Sequence, residues 1–130
     1  MKQKLQLSAR LLFGLGFFVF GLNGFLQFMP TPPVTPEAGA LLGAFAKTGY
    51  FFPMIKIVEI LVGILLLTNL YVPLALVIIS PILVGITSIH LFLNPAGLPI
   101  MVILHLLHGY SVYSYKKSYT GLFTKKASTI

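Results

Sequence analysis

Few residues in this chain can do chemistry: nine Lys or Arg, two acids, three His and no Cys among 130 residues. Lys56, Glu59, His90, His105 and His108 all fall inside long apolar stretches. A charge at the middle of a bilayer costs about 2.5–3.5 kcal/mol on insertion scales, so such residues normally face a bundle interior or a wet cavity, and they pair. A buried glutamate beside histidines can relay protons. The same groups can hydrogen-bond the carbonyls of an apolar ligand such as a quinone. Asn23 adds a polar side chain to the first apolar stretch. Glu59, Lys56, Asn23, His90, His105 and His108 therefore form the candidate set for ligand binding or proton relay. No phosphate-binding glycine loop, G-x-S-x-G or H-E-x-x-H accompanies them. The lack of cysteine excludes disulfides and thiol chemistry. His105 and His108 at i, i+3 can be imagined sharing a metal with Glu59, but the tight spacing of a metal motif is missing and no metal is expected.

The elements that must position these residues follow from composition. The chain is 57% hydrophobic and 8% charged, against roughly 45–50% and about 25% for a soluble domain. Disorder, a coiled coil and an ordinary water-soluble fold are excluded. A spanning helix needs about 20 apolar residues, and four windows qualify: about 9–28, 51–70, 72–93 and 98–115. They occupy nearly the whole chain, so the expected fold is a single all-α membrane domain, an antiparallel bundle of four transmembrane helices. A cleaved signal peptide is the rival reading of the first window. Its apolar run is too long for an h-region, and no small-residue cleavage site follows closely.

Orientation follows from the basic residues. Lys2, Lys4, Arg10, Lys116, Lys117, Lys125 and Lys126, seven of the nine, flank one side, so both termini are expected in the cytoplasm. Tyr110, Tyr113, Tyr115 and Tyr119 suit an aromatic belt on that side. The net charge of +7 is thus a tail charge beside spans. It suits the anionic headgroups of the lipid bilayer and no nucleic acid, for which there is no basic groove.

At 1.5 Å rise per residue, Asn23, Lys56, Glu59, Thr87 and His90 fall roughly 3–10 Å outside the midplane, with His105 and His108 near it. Each span carries one polar or small stripe, which suggests four stripes facing a common interior. Plainer readings stand beside this one. Lys56 and Glu59 can simply neutralise each other. Lys56 can snorkel. Asn23 can be interhelical glue, and Gly14, Gly21 and Gly24 can allow close helix packing. A lone His90 can be a satisfied packing histidine, and Pro81 a tolerated kink.

The outer loop, 29–50, contains its own helix signal. Thr35 suits an N-cap, Pro36 the first helical position and Glu37 the positive end. Lys47 suits the negative end, and Gly49 can stop the helix. A short interfacial helix from Pro36 to Thr48 is expected, greasy along Leu41, Leu42 and Phe45. It can serve as a plain tether, the commoner use of such a loop, or as a lid.

Three segments together resemble the DoxX/DoxD-like family of small bacterial and archaeal four-span proteins. They are Arg10-Leu11-Leu12-Phe13-Gly14 followed by Gly21-Leu22-Asn23-Gly24; Lys56-Ile57-Val58-Glu59 followed by Gly63 and Leu66; and His90 through Asn94-Pro95 to Pro99. The resemblance covers Arg10 to about Tyr115. It implies a four-helix bundle in the bacterial cytoplasmic membrane and a link to quinone-coupled oxidoreductases and a membrane or redox partner protein. Glu59, Asn23 and, more weakly, His90 match the family pattern. The missing cysteines argue against sulfur-relay chemistry and leave a quinone or lipid pocket open. The competing expectation is a non-enzymatic protein that binds lipid or a partner membrane protein, its polar stripe serving structure alone. A third is proton-coupled transport.

Overall fold

A computed structural model describes the whole chain, Met1–Ile130. It contains helices and no strand: α1 (Lys2–Leu26), α2 (Pro36–Lys47), α3 (Phe51–Thr68), α4 (Val72–Phe92) and α5 (Leu98–Ser114). Short 3₁₀ segments lie at Pro95–Gly97 and Lys116–Phe123. Four of the helices, α1, α3, α4 and α5 with its 3₁₀ lead-in, are long and apolar enough to cross a membrane.

Local chemistry explains the boundaries. The helix α1 begins seven residues before the expected span, because Lys2-Gln3-Lys4-Leu5-Gln6 are all good helix formers although too polar for lipid. It ends at Leu26 because Gln27 turns left-handed, φ 49°, and returns its N–H to the Asn23 carbonyl at 2.9 Å. The short helix α2 follows its sequence signals. The Thr35 hydroxyl accepts from the Ala38 N–H at 3.3 Å, Pro36 opens the first turn, Lys47 closes the last, and Gly49 takes φ +75° just beyond. Between α3 and α4, left-handed Asn69 and Tyr71 reverse the chain within three residues.

The bundle is assembled as a ring in which α1 packs on α3, α3 on α4, α4 on α5 and α5 on α1. The short connections do place antiparallel neighbours side by side. The tightest joint is between α1 and α3, and glycine makes it. A Cβ on Gly14 would lie 2.8 Å from the Leu66 Cβ, one on Gly21 would lie 2.9 Å from the Ile60 N, and one on Gly24 would strike the Lys56 stem. From the other side, a Cβ on Gly63 would lie 2.7 Å from the Phe18 N. Contacts climb α1 from 14 to 24 while they descend α3 from 66 to 56, so the pair is antiparallel. Lipid tails give helices no hydrophobic reason to associate, so close backbone approach must supply the attraction. Phe13 and Phe17, edge to face at 5.0 Å, fill the centre with Val62, Leu66, Leu76, Ile79 and Leu83. Large apolar side chains such as Leu12, Ile57 and Leu106 stay exposed around the outside, a surface suited to lipid.

The basic tail, expected only as a charged extension, folds back over residues 116–123. Tyr119 is buried there and donates its hydroxyl to the Pro73 carbonyl at 3.2 Å. Burial, and secondarily neighbouring Tyr115, push its phenol above the usual range. The proton that makes this bond is therefore held throughout the neutral range and lost only as pH rises through that raised value.

The glycine joint makes a prediction. Gly63→Ala would push a methyl into the backbone of Phe18, which cannot swing aside, and should cost about 1–3 kcal/mol. Gly16 has open space where its Cβ would be, so Gly16→Ala should be neutral or stabilise by up to about 1 kcal/mol. Thermal unfolding of both variants in one detergent checks the contrast. Equal melting temperatures would show that α1 and α3 do not pack this closely.

Candidate functional site

The site is built outward from Glu59, which is only 1% exposed at the centre of α3. One turn before it, Lys56 brings its Nζ to 2.8 Å from the Glu59 Oε2, the single ion pair in the protein. Two features aim the lysine there. The helical i, i+3 spacing puts both side chains on one face. Gly24 on α1 leaves the space its stem occupies. The plain reading of mutual neutralisation is thus met geometrically, but the pair is not sealed in the core. Both residues line a cavity of about 580 Å³ between α2, α3 and α4.

The cavity is walled by apolar side chains. Leu41, Leu42 and Phe45 of α2 close one side, and Ile82 and Ile86 of α4 the other. Pro81 and Gly85 also line it, so the proline within α4 faces this space. His90 and Asn94 add polar groups near the end of α4, and the His90 Nδ1 lies 3.1 Å from the Asn94 carbonyl. That carbonyl can only accept, so Nδ1 carries the ring proton in this bond. Gly97 leaves room for the ring, since a Cβ there would collide with it.

The helix α2 is fastened over the cavity at both ends. The Thr35 hydroxyl, besides capping α2, donates to the Leu93 carbonyl at 2.5 Å. Near the other end, Phe45 stacks on Phe51 at 4.1 Å and 15°. The loop helix is thereby more than a tether, because its greasy face forms a wall of the cavity.

Of the six candidate residues, Lys56, Glu59 and His90 share this space, and Asn23, His105 and His108 do not. Asn23 accepts the Met29 N–H at 2.8 Å and secures the turn that leaves α1. His108 lies 3.0 Å from the Leu76 carbonyl and 3.1 Å from the Ser80 hydroxyl, with its ring 5.6 Å from that of Phe13. His105 is exposed on the outside of the bundle, 2.8 Å from the Thr87 hydroxyl. The four polar stripes therefore do not face one interior. Around α5, His105 is offset by about 60° from His108, enough to turn it off the packed face. Each histidine instead meets a hydroxyl of α4. No three His, Asp or Glu side chains come together as metal ligands. Sequence reasoning missed the second bond of Thr35, the Asn94 carbonyl and the service of Gly97, since tertiary bonds to backbone carbonyls leave no pattern in residue types.

The pair can be tested by removing its members separately. Lys56→Leu strands the buried Glu59 and should cost about 3 kcal/mol. Glu59→Gln should cost less, because Lys56 is a quarter exposed and can turn to the interface. The double variant Lys56→Met, Glu59→Leu should recover most of the loss. Melting temperatures in detergent rank the three, and a double variant worse than both singles would refute a pairing role. The chain matches no family model, no curated protein and no solved structure.

Proposed function

We propose that this protein is a DoxX-like membrane protein that binds a quinone-like ligand in the cavity beneath α2, as the membrane subunit of an oxidoreductase whose electron source sits on a partner protein. The observation that carries this reading is a largely apolar cavity of about 580 Å³ in which Lys56, Glu59 and His90 stand among greasy walls. Ligand sites typically measure about 300–1,000 Å³ and combine apolar walls with a few placed polar groups. Leu41, Leu42, Phe45, Ile82 and Ile86 suit a ring and an isoprenoid-like tail.

The polar groups suit both forms of such a head. The Lys56 ammonium spends one donor on Glu59 and has others to offer a carbonyl oxygen. With its Nδ1 proton engaged by Asn94, a neutral His90 has Nε2 as an acceptor for a hydroxyl. A ligand alternating between carbonyl and hydroxyl would find a partner in each state. The clustering of basic residues beside the termini supports both termini lying in the cytoplasm, and the resemblance points to the bacterial cytoplasmic membrane. The cavity would then open in the outer half of the bilayer.

A second reading has its own support. Asn23, His105 and His108 all make contacts within the chain. A non-enzymatic protein that binds lipid or a partner membrane protein needs nothing more from them.

Titration of the purified protein with a short-chain quinone separates the two. The parent should bind. Gly85→Leu projects a side chain from a cavity-lining position with open space at its Cβ, and should weaken binding by about tenfold or more, ~1.4 kcal/mol, without lowering the melting temperature. A parent that does not bind, or a variant that binds equally well, sinks the quinone reading and leaves the structural one.

A further inference from the structure

At the end of the bundle that carries both termini, a second cavity of about 510 Å³ lies between α4, α5 and the folded tail. We propose that it holds an anionic phospholipid, with the phosphate at Lys116 and an acyl chain along the groove.

His108, Ser80 and Tyr119 around this groove are already engaged within the chain, and Lys116 has no anionic partner. The His108 Nε2 and the Ser80 hydroxyl both point to the Leu76 carbonyl, at 3.0 and 2.7 Å. Tyr119 is bound to Pro73. Lys116 lies 4.5 Å from the centre of the Tyr113 ring, which fixes its position without neutralising it. The ion pairing of the chain is exhausted elsewhere. Glu59 is taken by Lys56, and Glu37, the other acid, sits in the first turn of α2 beyond the opposite end of α1. No carboxylate side chain is left within the chain for Lys116, so an anion seated there would come from outside.

The rest of the groove selects the kind of anion. Leu122 and Phe123 line it while remaining 69% and 84% exposed, and they sit in the tail segment between Lys117 and Lys125. Apolar side chains left open beside unpaired lysines match a molecule with a fatty chain below a negative head. Basic pockets between spanning helices suit lipid headgroups in this way. A free phosphate would satisfy the lysine and leave the groove empty. The tail thus folds back to build one wall of a lipid site, and Tyr119 holds that wall in place.

Native mass spectrometry tests this on the full chain in nanodiscs of mixed phosphatidylglycerol and phosphatidylcholine. The protein should retain phosphatidylglycerol preferentially through release from the disc. Lys116→Gln should cut that retention by about fivefold, the worth of one lysine beside an anionic headgroup. Gly109→Leu, which fills the groove from a position with open space at its Cβ, should abolish it. Lys125→Gln, outside the groove, should change it little. Equal retention of both lipids would overturn the proposal. So would equal effects of Lys116→Gln and Lys125→Gln, which would mean diffuse attraction to a basic tail.

Discussion

The ion pair between Lys56 and Glu59 is the interaction on which the rest depends. A carboxylate as buried as Glu59 is tolerable only with a partner, and the chain offers it just one. Lys56 can serve because its stem runs across Gly24, and Gly24 reaches that stem because Gly14, Gly21 and Gly63 let α1 and α3 close on each other. The packing joint and the polar site are consequently one construction. A side chain at Gly24 would unseat the lysine, whereas one at Gly21 or Gly63 would strike backbone and part the helices. The pair also faces the cavity, whose lining it shares with Ile55 of α3 and Ile82 and Ile86 of α4.

Much of this was legible in residue types. Four apolar stretches marked four helices, and Thr35, Pro36, Lys47 and Gly49 marked α2 to within a residue, because capping and left-handed turns are local and use few residue types. The glycines of α1 announced close packing. Where α1 begins was not legible from hydropathy, because Lys2 to Gln6 favour a helix while disfavouring lipid. The folded tail was missed because a single bond from Tyr119 to a carbonyl 46 residues away holds it.

The candidate site was half legible, and the reason is physical. Depth and face select polar residues that need a partner without saying which partner they find. Lys56 and Glu59 lie on one helix face, so their spacing was enough. His105 and His108 were grouped with them by height and by a shared face of α5, neither of which fixes a partner. Serine and threonine in a spanning helix can donate back to their own carbonyls and still meet a neighbour, as Ser80 and Thr87 do. A hydroxyl on the next helix therefore satisfies a histidine at less distance than a shared polar centre would.

The fastening of α2 bears on how a cavity beneath it could exchange a ligand. One hydrogen bond, from Thr35 to Leu93, secures one end, at a net worth of about 0.5–1.5 kcal/mol. An aromatic stack, Phe45 on Phe51, secures the other, adding about 0.5–1.5 kcal/mol beyond the area it buries. The left-handed Gly49 beside it is a position where the chain turns without side-chain resistance. Releasing α2 as a unit would therefore cost on the order of 1–3 kcal/mol plus the apolar contact it covers, which keeps the open form a minor state. Apparent affinity falls by the fraction of time the cavity is accessible, if only the open form admits ligand. The apolar contact of α2, with Ala38 fully buried and Phe45 against both Phe51 and Phe52, adds to that loss. The rigid elements of the site, Lys56, Glu59 and the glycine joint, lie on the helices that need not move.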